Sequence, residues 1–206
     1  MGISHRVRSF DPGRRFAQAQ FRRWFGRYFL AALLVFALGG VLGAVAMAVT
    51  DLSGLQDVAE GLEPMFPDQI TFGFVAVNNL RVLAILTLGF VSFGTLSGAV
   101  LLFNGFIIGL VVAGAAADGA LLEAVALIAP HGWLELGAFF LVAGTTFRVT
   151  HRLVNYLRGI DDSVITRQEL FEIAVLFLVA AVAIVVAAWI EVYLTEAISE
   201  AVLGLL

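Results

Sequence analysis

The sequence predicts an all-α integral membrane protein, a helical bundle with five transmembrane spans. Composition is the first reason: 61% of the 206 residues are apolar and only 14% are charged. A soluble domain of this size cannot hide so much apolar surface. The second reason is continuous apolar runs, several of them beyond the roughly 18 residues that mark a membrane span. Segregated charge is the third: all 12 basic residues are arginine, and 11 of them fall in two stretches. The chain has no cysteine, which excludes disulfides and thiolate metal sites. No polar stretch is long enough to build a second core, so residues 28–206 read as a single helical membrane domain.

Residues 1–27 read as a basic, cytoplasmic, amphipathic segment. It carries seven arginines: Arg6, Arg8, Arg14, Arg15, Arg22, Arg23 and Arg27. Phe21, Trp24, Phe25 and Tyr28 recur at i, i+3, i+4 and i+7, with Arg22, Arg23 and Arg27 around the stripe. That pattern suits a helix lying on a membrane surface. The arginines act as a positive-inside anchor; a specific lipid or partner site is the sharper alternative. The first span follows at about Tyr28–Val49. It is too long for a cleavable signal peptide and reads as a signal anchor.

The next loop, Thr50–Gly73, holds five acidic residues (Asp51, Asp57, Glu60, Glu63 and Asp68) and no basic one. Ser53-x-x-Gln56 is a capping-box pattern that opens a surface helix, which Pro64 and Pro67 stop. The second span is expected at about Phe74–Leu96 and the third at about Gly98–Ala117, joined at Ser97-Gly98 as a tight hairpin. Ala120–Ile128 is apolar on one face but too short to span, so it reads as an interfacial or re-entrant half-helix. Pro130 ends it, and Gly132 turns the chain into a fourth span at about Trp133–Thr150. Thr166-x-x-Glu169 starts the fifth span, about Phe171–Leu194, with a second capping box. Arg148, Arg152, Arg158 and Arg167 join the N-terminal arginines on one side, while the acidic loop, Glu196 and Glu200 fall on the other. The positive-inside rule then gives N-in, C-out.

Polar groups within the spans are costly, so each needs a reason. Asn78, Asn79 and Arg81 fall in the outer third of span two, and Glu135 and Glu191 reach a similar depth in spans four and five. With His131 they form a candidate polar layer beneath the external face. Arg81 either snorkels outward or pairs with Glu135 or Glu191; the convergence of amides and His131 favours a paired structural cluster. His131 and Glu135 alone make a weak metal site, and no metal or other cofactor is expected. Asn104, Gly105 and Gly109 read as helix packing, as do the small-xxx-small pairs Gly39/Gly43 and Gly94/Gly98. Such spacing argues for a tightly packed bundle rather than a wide aqueous pore.

Four segments appear in an ordered series: Asn78-Asn79, LLFNG at Leu101–Gly105, PHGWLELGA at Pro130–Ala138 and AAWIEVYLT at Ala187–Thr195. In these segments the chain resembles the stage II sporulation protein M family. Its members are polytopic membrane proteins of spore formers and of many bacteria and archaea that never sporulate. Gly137 stands where that family usually has proline. The resemblance implies a multi-pass protein of the cell membrane, without enzymatic activity. In spore formers the family's namesake acts as a scaffold for two wall-degrading partners, the stage II sporulation proteins D and P. Its implied partners here are the lipid bilayer and other membrane or envelope proteins; a homodimer is the arrangement that transport by so short a chain without a repeat would need, and nothing points to nucleic acid. The alternative is a transporter or channel component that uses the intramembrane Arg, Glu, His and Asn groups. An intramembrane enzyme with Glu135 and His131 as acid and base is the least supported reading, because no nucleophile or metal set accompanies them.

Overall fold

The computed structural model describes residues 23–49 and 71–204. The surface helix expected from Ser53 to Pro67 and most of the basic segment, Phe21 included, lie outside them. Five helices are long and apolar enough to cross a membrane: α1 (Arg27–Val49), α2 with its 3-10 extension (Phe72–Phe90), α3 (Thr95–Ala117), α4 (Leu121–Leu157) and α5 (Arg167–Tyr193). A short α6 (Thr195–Leu203) follows. The described residues contain no strand. Helices start where the sequence offers caps. Thr71 accepts from the Phe74 amide, and Thr166 and Glu169 form the reciprocal capping box at the start of α5.

The closest helix pair is α1 with α3. A Cβ at Gly39 or Gly43 would overlap the carbonyl oxygens of Leu102 or Phe106, and one at Gly105 or Gly109 would overlap those of Phe36 or Gly40. Here two backbones touch, as the 39/43 and 105/109 spacing predicts. The third pair differs. Gly94 sits in the left-handed region (φ 79) next to Phe93 (φ 53) and reverses the chain, while a Cβ at Gly98 would meet nothing within 4 Å. The hairpin between α2 and α3 therefore turns at Leu88–Gly94, not at Ser97-Gly98. Ser97 is fully buried inside α3 and donates to the Leu86 carbonyl at 2.7 Å.

The fourth span also differs from expectation. No separate half-helix precedes it, and Pro130 and Gly132 make no turn: both lie inside the continuous 37-residue α4. A proline removes one backbone donor. α6 lies against this part of α4, and Leu122, Val125, Ala126, Ala129 and Pro130 line a pocket of about 330 Å³ with Ile198 and Val202 of α6. Trp133 Nε1 donates to the Pro130 carbonyl at 3.1 Å. Gly132 is buried, with Ile128 against the place a Cβ would take.

The core sits where α4 runs through the bundle. Leu86, Leu101, Val142 and Ile184 are fully buried there, and Phe140 meets Phe29 and Phe36 edge-on at 5.8 and 5.3 Å. The buried hydroxyls of Thr145 and Thr146 donate to the Leu141 and Val142 carbonyls, so they add no unmet polar group. Two polar clusters flank this core. One, the histidine end, joins the end of α5 to the first third of α4. The other, the arginine end, joins the start of α5 to the last third of α4.

Candidate functional site

At the histidine end, α2, α4 and α5 each contribute polar side chains. Asn79 donates through Nδ2 to Glu135 Oε1. His131 Nδ1 lies 3.1 Å from Thr195 Oγ1, and its Nε2 lies 3.9 Å from Glu191 Oε2. Thr195 is buried, and its hydroxyl donates to the Ile190 carbonyl at 3.2 Å. One ring nitrogen of His131 and one oxygen each of Glu135 and Glu191 lie within 4.8 Å of one another. Continuity of α4 makes this possible, since i, i+4 spacing puts His131 and Glu135 on one helical face. His131 and Glu135 are neighbours along the chain; Glu191, expected at a similar depth, joins them from the far end of α5.

Not every residue expected in the layer joins it. Arg81 is exposed and forms no ion pair among the described residues, so it locks neither Glu135 nor Glu191. Side chains lean toward a helix's N-terminus, and in α2 that direction carries Arg81 out along the bundle surface. Asn78 is also exposed and has no hydrogen-bond partner among the described residues. It faces a groove of about 680 Å³ between α2 and α3, lined also by Val82, Ile85, Val100, Phe103 and Asn104. Asn104 bonds to the Val100 carbonyl of its own helix at 2.8 Å rather than across to a neighbour.

The arginine end holds a denser cluster, which charge counting assigns only to topology. Glu169, 6% exposed, accepts from Arg148 Nη2 at 2.7 Å, from Arg152 Nη1 at 2.7 and 2.9 Å, and from the Thr166 amide at 3.0 Å. Arg152 also donates to the Ser163 carbonyl at 2.9 Å. Trp24 is buried too, instead of lying on a membrane surface. Its Nε1 donates to Glu172 at 2.7 Å, and the Arg148 guanidinium stacks 4.5 Å from its ring. The stacking accounts for Arg148 Nη1, which is buried without a hydrogen-bond partner among the described residues. The signal in the sequence is Thr166-x-x-Glu169: a cap carboxylate 17 and 21 positions from two arginines on the preceding span, across the connection between α4 and α5.

These features define a polytopic helical membrane protein, with polar clusters at both ends of a solid apolar core. A family model, stage II sporulation protein M, matches residues 19–196, and the chain belongs to that family. It is similar to an uncharacterised protein of Methanocaldococcus jannaschii, at 30% identity over 172 residues, covering 82% of this chain and 94% of the relative. No solved structure matches the chain.

Proposed function

We propose that the protein is a non-enzymatic scaffold of the cell membrane, one that holds transmembrane helices of partner proteins. The observation that carries this reading is the lipid-facing groove between α2 and α3. It presents Asn78, an amide without a partner among the described residues, beside Asn104. Asn78 adjoins Asn79, at the level of the histidine end, and its amide has no partner among the described residues, so a helix offering a polar group at that level is the occupant this groove suits. Asn side chains across membrane helices typically contribute about 1 kcal/mol, enough to choose among otherwise equal apolar faces. Solid packing supports the same reading against conduction, because the buried apolar core separates the two polar clusters.

The test places a photoreactive amino acid at Phe103, in the groove, or at Val182, on the exposed face of α5, in native membranes. The expected result is a discrete adduct with another membrane protein from position 103 alone, lost in Asn78→Leu. Adducts only with a second copy of this chain would replace the scaffold reading with a homodimer. Solute flux in liposomes, abolished by Glu135→Gln with the fold intact, would replace it with transport.

A further inference from the structure

We propose that His131, Glu135 and Glu191 bind one divalent first-row transition cation of the zinc type, with the His131 ring coordinating through Nε2. The site is independent of the scaffold reading: its three ligands lie on α4 and α5, not on the walls of the α2–α3 groove.

Three features at the histidine end carry the proposal. Ligand convergence is the first: a ring nitrogen and two carboxylate oxygens lie within 4.8 Å of one another. Ligands about 2.1 Å from a tetrahedral zinc stand roughly 3.4 Å apart, so a side-chain adjustment of about 1 Å closes the set. The second is the ring's orientation. With the Thr195 proton on the Ile190 carbonyl, Thr195 Oγ1 accepts from Nδ1–H. The lone pair then sits on Nε2, which faces Glu191 at 3.9 Å with no proton of its own to share. Metal-bound histidines are held in this way, by a partner on the other ring nitrogen. Asn79 does the same for Glu135, fixing one carboxylate oxygen.

Charge is the third. Two carboxylates meet here, and no arginine pairs with either among the described residues. The contrast with Glu169, which hydrogen-bonds Arg148 and Arg152 and has Arg23 4.0 Å away, is plain. A dication supplies the missing counter-charge and ties α4 to α5. One imidazole and two carboxylates suit zinc-like cations, and the lack of cysteine argues against a soft monovalent ion. Three protein ligands leave a coordination position for water.

The experiment uses the full chain, purified through a tag without histidine and carrying His5→Ala and His151→Ala to remove the other two imidazoles. Zn²⁺ titration in lipid nanodiscs is expected to give one ion per chain. H131Q or E191Q is expected to lower affinity about 100-fold or more. T195V, which removes the partner of Nδ1 together with the hydroxyl's bond to the Ile190 carbonyl and leaves all three ligands in place, is expected to weaken binding about 10–100-fold while keeping one ion per chain at saturation. X-ray absorption of the zinc-loaded protein should show an imidazole nitrogen in the first shell. Helicity and monodisperse elution report the fold of each variant; where H131Q or E191Q fails to fold, T195V and the absorption spectrum decide. Absence of stoichiometric zinc, unchanged affinity in folded H131Q or T195V, or a first shell without imidazole would overturn the proposal.

Discussion

Glu169 and Arg81 show how far a single residue's setting departs from its sequence neighbourhood. Glu169 ends a capping box that is legible from four residues, and it is bonded as such. Its bonds to Arg148 and Arg152 were not legible, because 21 and 17 positions separate them and only the antiparallel contact of α4 with α5 closes that gap. Removing the charge strands two half-buried guanidinium groups. Glu169→Gln should therefore destabilise the protein by about 3–5 kcal/mol. Equilibrium unfolding in mixed detergent measures it, and a change below about 1 kcal/mol would mean that lipid or water already solvates these arginines. Arg81 behaves oppositely. Its spacing from Glu135 allows a pair in sequence, but α2 directs it outward and Asn79 takes the carboxylate instead. A double-mutant cycle on Arg81→Met and Glu135→Gln should be additive within about 0.5 kcal/mol. A coupling of several times that size would return Arg81 to the polar layer.

Helix pairs were legible wherever the signal was a steric one. Gly39/Gly43 and Gly105/Gly109 face each other because only glycine lets α1 and α3 touch along their backbones. The same spacing at Gly94/Gly98 misleads, since one residue serves a turn and the other faces open space. Pattern alone cannot separate these cases; the neighbour decides. The contrast is measurable in one host. Gly105→Ala should cost about 1–3 kcal/mol, because the α1 backbone has nowhere to move without breaking its other contacts. Gly98→Ala should be neutral or stabilising by up to about 1 kcal/mol through helix propensity. Equal effects in thermal unfolding would remove the packing argument. The expected half-helix differs for a related reason: Pro130 and Gly132 look like punctuation in sequence, but both lie inside the continuous α4, against which α6 packs. Pro130→Ala should leave stability unchanged or raised, as one backbone donor is restored; a clear loss would show that a bend at this position is needed.

The two polar clusters give the whole molecule a ruler. Glu169 and Glu191 are 22 positions apart on α5, and His131 and Arg152 are 21 apart on α4. At ~1.5 Å per residue, both separations come to about 32 Å, close to the ~30 Å hydrocarbon core of a bilayer. Each cluster thus falls near a headgroup boundary, where buried charge is cheapest, and the apolar core fills the space between. The 37-residue α4, about 55 Å long, must then extend beyond that core, with its first turns packed on α6 at the histidine end. Length and composition give no direction; from arginine placement, the positive-inside rule predicts the arginine end in the cytoplasm and the α6 end outside. The absence of cysteine makes this testable without a depleted background. Asp162 lies exposed in the α4–α5 connection and Glu200 lies exposed on α6, at opposite ends. A membrane-impermeant maleimide should label Glu200→Cys in intact cells, and Asp162→Cys only after permeabilisation. The reverse pattern would invert the topology, and labelling of both in intact cells would contradict a crossing between them, and with it the reading of α5 as a membrane span.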